Sequence, residues 1–174
     1  MRNKRVNLDN IHTIVFDFDG VFTDNFVYVD SNGIETIRCS RADSYGVTIL
    51  KDFSKIKSLD YFVLSTESNP VVIKRCEKMG IDYHIGVANK WEYLRDWLKT
   101  NRPGISEPEM GVLYFGNDIN DLEVISHVGY SLAPLDAHPK IKSLATQVLK
   151  SFGGQGFVRE GIELYLSMNS RKNY

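Results

Sequence analysis

The chain is predicted to be an α/β domain built on a doubly wound, Rossmann-like parallel sheet with helices on both faces. Three observations predict it. Short apolar runs rich in β-branched and aromatic residues recur along the sequence, amphipathic stretches of helical spacing separate them, and Gly, Asp, Ser or Asn bound them. Such runs suit strands buried on both faces, and their alternation with helices gives parallel pairing. With 174 residues, of which 43% are hydrophobic, residues 1–174 have the length of a single domain with its own core.

The first strand is expected from Thr13 to Phe16, where the apolar run stops at Asp17. A β-hairpin is expected over about 25–40, with Phe26 to Val29, a turn Asp30-Ser31-Asn32-Gly33, and Ile34 to Cys39. Placed directly after the first strand, it would stand over the carboxyl ends of the sheet, where open α/β folds bind ligands. Helices are expected at 43–57, 69–79, 89–101 and 119–127; in the third, Trp91, Leu94, Trp97 and Leu98 share a face. Further strands are expected at Tyr61 to Leu64, Tyr83 to Val87, Val112 to Phe115 and, with weaker patterning, Tyr130 to Ala133. Residues 101–111, with two prolines and two glycines, read as a loop.

Composition narrows the function. The formal charge of -1, from 21 basic and 22 acidic residues, gives no electrostatic case for nucleic acid or a membrane surface as partner. No run of about 18 apolar residues is present. The basic opening MRNKRVNLDN is not followed by the apolar stretch of a secretory signal. Cys39 and Cys76 fit neither a metal-binding pair nor a disulfide framework, so reduced thiols and a cytoplasmic location are expected.

The chemistry concentrates at strand ends. Val15-Phe16-Asp17-Phe18-Asp19-Gly20 places two carboxylates two positions apart after an apolar strand. Acids ~4 Å apart repel by roughly 4 kcal/mol at an effective dielectric of ~20, so they call for a shared cation. A hard divalent ion such as Mg²⁺ fits oxygen donors. On this segment alone, an ordinary cap and turn explain the Asp-Gly equally well. A second acidic end, Phe115-Gly116-Asn117-Asp118-Ile119-Asn120-Asp121, changes the balance. Parallel strands bring both loops to the same sheet edge, so Asp17, Asp19 and Asp118 could meet on one ion. Ser65, at a third strand end, can bond a phosphoryl oxygen, and Lys90 can neutralise phosphate charge. Taken singly, these two read as a turn hydroxyl and a solvated helix lysine.

The order Asp17-x-Asp19-Gly20, Ser65, Lys90, Gly116-Asn117-Asp118-x-x-Asp121 resembles the motifs of the haloacid dehalogenase superfamily. DFDGVFTDN, SRADSYG, STESNP, GNDINDL, DAHP and GGQGFVRE carry the likeness over most of residues 11–166. They look like its branch of 3-deoxy-manno-octulosonate 8-phosphate and nonulosonate 9-phosphate phosphatases. That branch includes the C-terminal module of many acylneuraminate cytidylyltransferases, to which STESNP and GNDIND look closer than to the octulosonate enzymes. The resemblance implies a capless Mg²⁺-dependent phosphatase acting on a small-molecule sugar-acid phosphate.

By that resemblance Asp17 is the nucleophile that becomes phosphorylated, Asp19 the acid and base, and Ser65 and Lys90 hold the transferring oxygens. Asp17, the backbone carbonyl of Asp19, and Asp118 would hold the metal, with Asn117 and Asp121 behind them. Thr66, Asp43 and Arg159 would meet the substrate. Two departures stand out: Asn117 replaces an aspartate that often ligates the metal, and Thr66-Glu67 replaces a Gly-Arg pair. The second argues against an identical sugar acid. The resemblance also implies a homotetramer assembled by the hairpins, with a C-terminal tail (about 152–174) closing a neighbour's site. Arg159 could instead pair with Glu160 or Glu163. A second reading is a non-catalytic oligomerisation module partnering a cytidylyltransferase. His138 reads as a turn or helix-start residue; His12, His84 and His127 form no ligand pattern.

Overall fold

The computed structural model describes residues 10–170; the basic residues 1–9 and the last four residues of the expected tail lie outside the described segment. Six strands form one all-parallel sheet: β1 (Thr13–Phe16), β4 (Asp60–Leu64), β5 (Asp82–His84), β6 (Val112–Phe115), β7 (Tyr130–Ala133) and β8 (Gln147–Val148). Their order is β5-β4-β1-β6-β7-β8, with β1 at the centre. Every residue of β1 and β6 is buried, as a sheet covered on both faces requires.

The pleat divides the core. Ile14, Phe16, Leu113 and Phe115 face one layer, formed by α1 (Arg41–Ser54), α2 (Pro70–Met79) and α6 (Phe157–Ser170). Val15, Val112 and Tyr114 face the other, formed by α3 (Lys90–Asn101), α4 (Leu122–His127) and α5 (Pro139–Leu144). Each fully buried Leu, Ile or Phe contributes about 1.5–3 kcal/mol, so the two layers fix the sheet as a rigid floor. Among the described residues no helix is long and apolar enough to cross a membrane.

The hairpin forms from β2 (Thr23–Val29) and β3 (Glu35–Cys39), antiparallel, with a register shift between Thr23 and Val27. It leaves the main sheet, and Phe26, Val27, Tyr28, Val29 and Ile34 are all exposed.

Several expected elements differ. β5 stops at His84, short of Val87, because the chain turns away at Gly86, whose φ is 67°. The expected helix 119–127 splits into a 3-10 turn at Ile119–Asp121 and α4. The loop 101–111 contains a 3-10 turn at Pro108–Gly111. In the C-terminal segment residues 157–170 form helix α6, with Phe157, Val158, Ile162 and Tyr165 buried against α1. Close packing there needs Gly46, where a Cβ would stand 3.0 Å from the Arg159 Cα.

Candidate active site

Four loops leave the carboxyl edge of the sheet and meet over β1. Asp17 follows β1 directly, its amide donating to the Phe115 carbonyl at 2.9 Å, and is buried. Lys90 opens α3, behind the Asn89 cap, with its side chain 1% exposed. Its ammonium lies 2.6 Å from Asp17 Oδ1 and 2.7 Å from Asp121 Oδ1. One cation thus balances two buried carboxylates. Burial and the Asp121 charge, against the pull of Lys90, push the Asp17 carboxyl up to about 7. Burial tends to lower the Lys90 ammonium, but the Asp17 and Asp121 charges outweigh it and raise its pKa.

Asp121 organises the site. Besides Lys90 it accepts the Tyr114 hydroxyl at 2.6 Å and the amides of Asn117 and Asp118 at 2.8 and 3.3 Å. Tyr114, wholly buried on β6, escaped the sequence reading; a tyrosine inside an otherwise apolar run was its signal, since a buried hydroxyl needs a partner.

Asp19 is half-buried, and desolvation followed by the Glu67 charge raises its pKa. Thr23 Oγ1 accepts the Gly20 amide at 3.1 Å and donates toward Asp19 Oδ1 at 3.5 Å. Gly20 has φ 74°, and a Cβ there would stand 1.9 Å from Asn117 Nδ2, so only glycine lets the two acidic loops touch. Ser65 is buried; its Oγ accepts the Glu67 amide at 3.0 Å, which leaves its proton free to donate.

Four assignments need restating. Asp118 caps the 3-10 turn through the Ile119 amide at 2.7 Å while still lining the cavity. Among the described residues no three His, Cys, Asp or Glu side chains converge as a metal site by themselves. Asn117 has an oxygen to offer: its Oδ1 is buried without a hydrogen-bond partner, beside Gly20 and in the same cavity as Asp17, Asp19 and Asp118. An orphan acceptor among carboxylates fits a hard, oxygen-liganded cation. Asp43 does not line this cavity; its oxygens accept the Gly156 and Arg159 amides at 3.1 and 3.0 Å, tying α1 to the loop before α6. Arg159 pairs with Glu163 at 2.5 Å and lies over the Tyr45 ring. His138 caps α5.

The cavity holds about 300 Å³ and is walled by Asp17, Asp19, Asn25, Thr66, Asn117, Asp118, Ile119 and Asn120. Of two larger cavities, one of about 500 Å³ adjoins it, sharing Ile119 and Asn120 and reaching Lys90, and one of about 510 Å³ lies by β4 and β5; neither is lined by Asp17, Asp19 or Asp118. A small acidic pocket beside one buried cation, with an uncommitted amide oxygen and a carboxyl whose pKa burial raises, suits transfer of a charged group between oxygens.

Comparisons with known proteins place the family and the fold. A family model described as haloacid dehalogenase-like hydrolase matches residues 29–159. The 3-deoxy-D-manno-octulosonate 8-phosphate phosphatase KdsC of Escherichia coli (strain K12) is 30% identical over 159 residues, 91% of this chain and 80% of that one. A protein from Streptomyces avermitilis MA-4680 described as a HAD family hydrolase superposes with TM-score 0.81 at 36% identity, covering 91% of this chain and 86% of its own. The cobalt-bound deoxy-D-mannose-octulosonate 8-phosphate phosphatase (YrbI) of Haemophilus influenzae gives TM-score 0.81 at 29% identity, covering 94% and 91%.

Proposed function

Because this chain belongs to the haloacid dehalogenase-like hydrolase family, we propose that it is the Mg²⁺-dependent phosphatase of a sugar-acid phosphate, working through phosphorylated Asp17. It is a phosphoric monoester hydrolase, and its cofactor is Mg²⁺. The observation that carries the mechanism is the buried Asp17–Lys90–Asp121 cluster at the carboxyl edge of the sheet.

Asp17, Asp118, the Asn117 amide oxygen and the Asp19 carbonyl are the groups that would hold the ion. Bound there, Mg²⁺ offsets the charge of Asp17 and of the phosphoryl oxygens. The Asp17 carboxylate attacks phosphorus, and the bond from phosphorus to the sugar oxygen breaks. Asp19, whose pKa burial and then the Glu67 charge raise, gives a proton to the leaving oxygen. Water then attacks the aspartyl phosphate, Asp19 takes a proton from it, and phosphate leaves Asp17 ionised again. Lys90 and Ser65 hold the equatorial oxygens as charge builds on them.

For the substrate, the similarity to the KdsC phosphatases favours octulosonate 8-phosphate. Glu67, whose carboxylate accepts the Ser68 and Asn69 amides, stands where an arginine would meet a substrate carboxylate, which argues against the identical sugar acid and keeps an acylneuraminate 9-phosphate as the second candidate. The exposed apolar hairpin supports assembly of copies into a tetramer.

The test is phosphate release from both sugar-acid phosphates with Mg²⁺, by wild type and Asp17→Asn. Turnover of one that chelator and the substitution both abolish supports the reading. Folded, Mg²⁺-supplied protein that releases phosphate from neither would overturn it.

A further inference from the structure

One wall of the catalytic cavity has no part in the chemistry above. Asn25 sits at the start of the hairpin with φ 64° and is one of two non-glycine residues with positive φ among those described. Asparagine tolerates this left-handed backbone better than most residues, and glycine tolerates it better still, having no Cβ to crowd the carbonyl oxygen. The conformation is held locally. Thr23 Oγ1 accepts the Asn25 amide at 3.2 Å, and the pairing of β2 with β3 slips register between Thr23 and Val27. A bulge of this kind re-aims a side chain, and that of Asn25 lines the cavity of Asp17 and Asp19. A backbone strained at that point delivers an amide beside the reacting carboxylates.

Asn25 is not alone there. Asn120 and Thr66 line the same cavity, and Asn120 Nδ2 donates to Thr66 Oγ1 at 3.4 Å. All three are exposed, whereas Lys90 and Asp17 are buried. The charged floor thus suits the phosphoryl group, and a neutral rim of two amides and a hydroxyl remains for whatever carries it. Amides both donate and accept, which matches hydroxyl groups in either role. Ile119, 43% exposed beside them, offers an apolar contact to C–H bonds.

We propose that Asn25, together with Asn120, hydrogen-bonds the hydroxyls of a polyhydroxylated leaving group and thereby sets selectivity for sugar phosphates over other phosphomonoesters. This inference rests on the phosphatase reading. It makes Asn25 a specificity residue that binds substrate and takes no proton.

The experiment compares wild type, Asn25→Gly and Asn25→Asp on the sugar-acid phosphate and on phenyl phosphate. Glycine suits the backbone at φ 64°, so Asn25→Gly is expected to melt at or above the wild-type temperature. Losing one neutral hydrogen bond should raise KM for the sugar phosphate about three- to tenfold, with kcat within about twofold. The kcat/KM preference for the sugar phosphate over phenyl phosphate falls by the same factor. Should Asn25→Gly fail to fold, the same fall in preference in Asn25→Asp supports the inference and its absence overturns it. A wild-type preference that survives substitution overturns the inference alone. A wild type that releases phosphate from phenyl phosphate but shows no preference for the sugar acid overturns the substrate reading and this inference with it.

Discussion

The Lys90 ammonium is shared, at 2.6 Å from Asp17 Oδ1 and 2.7 Å from Asp121 Oδ1, so the proposed nucleophile and the carboxylate that orders the Asn117–Asp118 loop depend on one buried charge. Asp121 also holds the amides of Asn117 and Asp118. Removing it therefore loosens the cation and the metal-side loop together. Lys90 keeps Asp17 as its partner in Asp121→Ala, so the expected loss in urea unfolding comes from the Tyr114 hydroxyl and the loop amides left without their acceptor, about 1–3 kcal/mol for each group that stays unpaired. Tyr114→Phe deletes one hydroxyl bond to the same carboxylate and should cost about 1.5–3 kcal/mol.

The raised carboxyl of Asp17 gives a pH signature. Its folded pKa, about 7, lies above the ordinary 3.8, so the folded state binds that proton more tightly than the unfolded chain does. The group's contribution is therefore most favourable at low pH and is lost as pH rises from about 4 toward 7. In chelator, Asp17→Asn should be more stable than wild type near neutral pH, with the difference vanishing near about pH 4. Thermal melts across that range check it. Mg²⁺ should then stabilise wild type and leave Asp17→Asn nearly unchanged.

In the proposed site Asn117 would offer the metal an amide oxygen where a carboxylate would add charge. Ligand charge tunes the affinity of hard-cation sites, so Asn117→Asp should tighten Mg²⁺ binding by about tenfold and Asn117→Ala should weaken it. Calorimetric titration of Mg²⁺ into metal-free protein reads both directly.

His12 gives a pH effect far from the site. Its Nδ1 lies 3.2 Å from the donating Arg102 Nε and 2.8 Å from Thr13 Oγ1, and burial followed by the Arg102 charge lowers its pKa below 6.5. The unfolded chain takes up that proton first, so stability falls as pH drops below 6.5 toward the folded value. His12→Asn keeps an acceptor at the Nδ1 place and should remove this part of the acid slope in urea unfolding at pH 5 to 7.

The hairpin predicts assembly. Phe26 is 69% exposed and Tyr28 57%, beside Val27, Val29 and Ile34. An apolar strand pair of this kind marks an interaction surface. The proposed assembly predicts that wild type sediments as an oligomer and that Phe26→Glu with Tyr28→Glu sediments as a monomer without losing regular secondary structure.

Much of the fold was legible because its signals are local. β1, β6 and β7 have the bounds that their apolar runs predicted. The acidic loops met because parallel strands share a carboxyl edge, a consequence of topology alone. What was not legible depends on distant partners. Asp43 is held by the amides of Gly156 and Arg159, and backbone donors leave no mark in a sequence. Helix α6 was hidden by the glycine loop before it, although Phe157, Val158, Ile162 and Tyr165 carry helical spacing. The φ of Asn25 follows from the bulge, which an Asp-Asn pair does not announce.

The central claim is that phosphate passes through Asp17. Its most direct test is acid quench of the enzyme during turnover with Mg²⁺, borohydride reduction, and peptide mass spectrometry. An aspartyl phosphate reduces to homoserine, so the account predicts homoserine at position 17, absent without substrate and absent in Asp17→Asn. Phosphate release at the full rate with position 17 unmodified, or with the modification at another carboxylate, would contradict it.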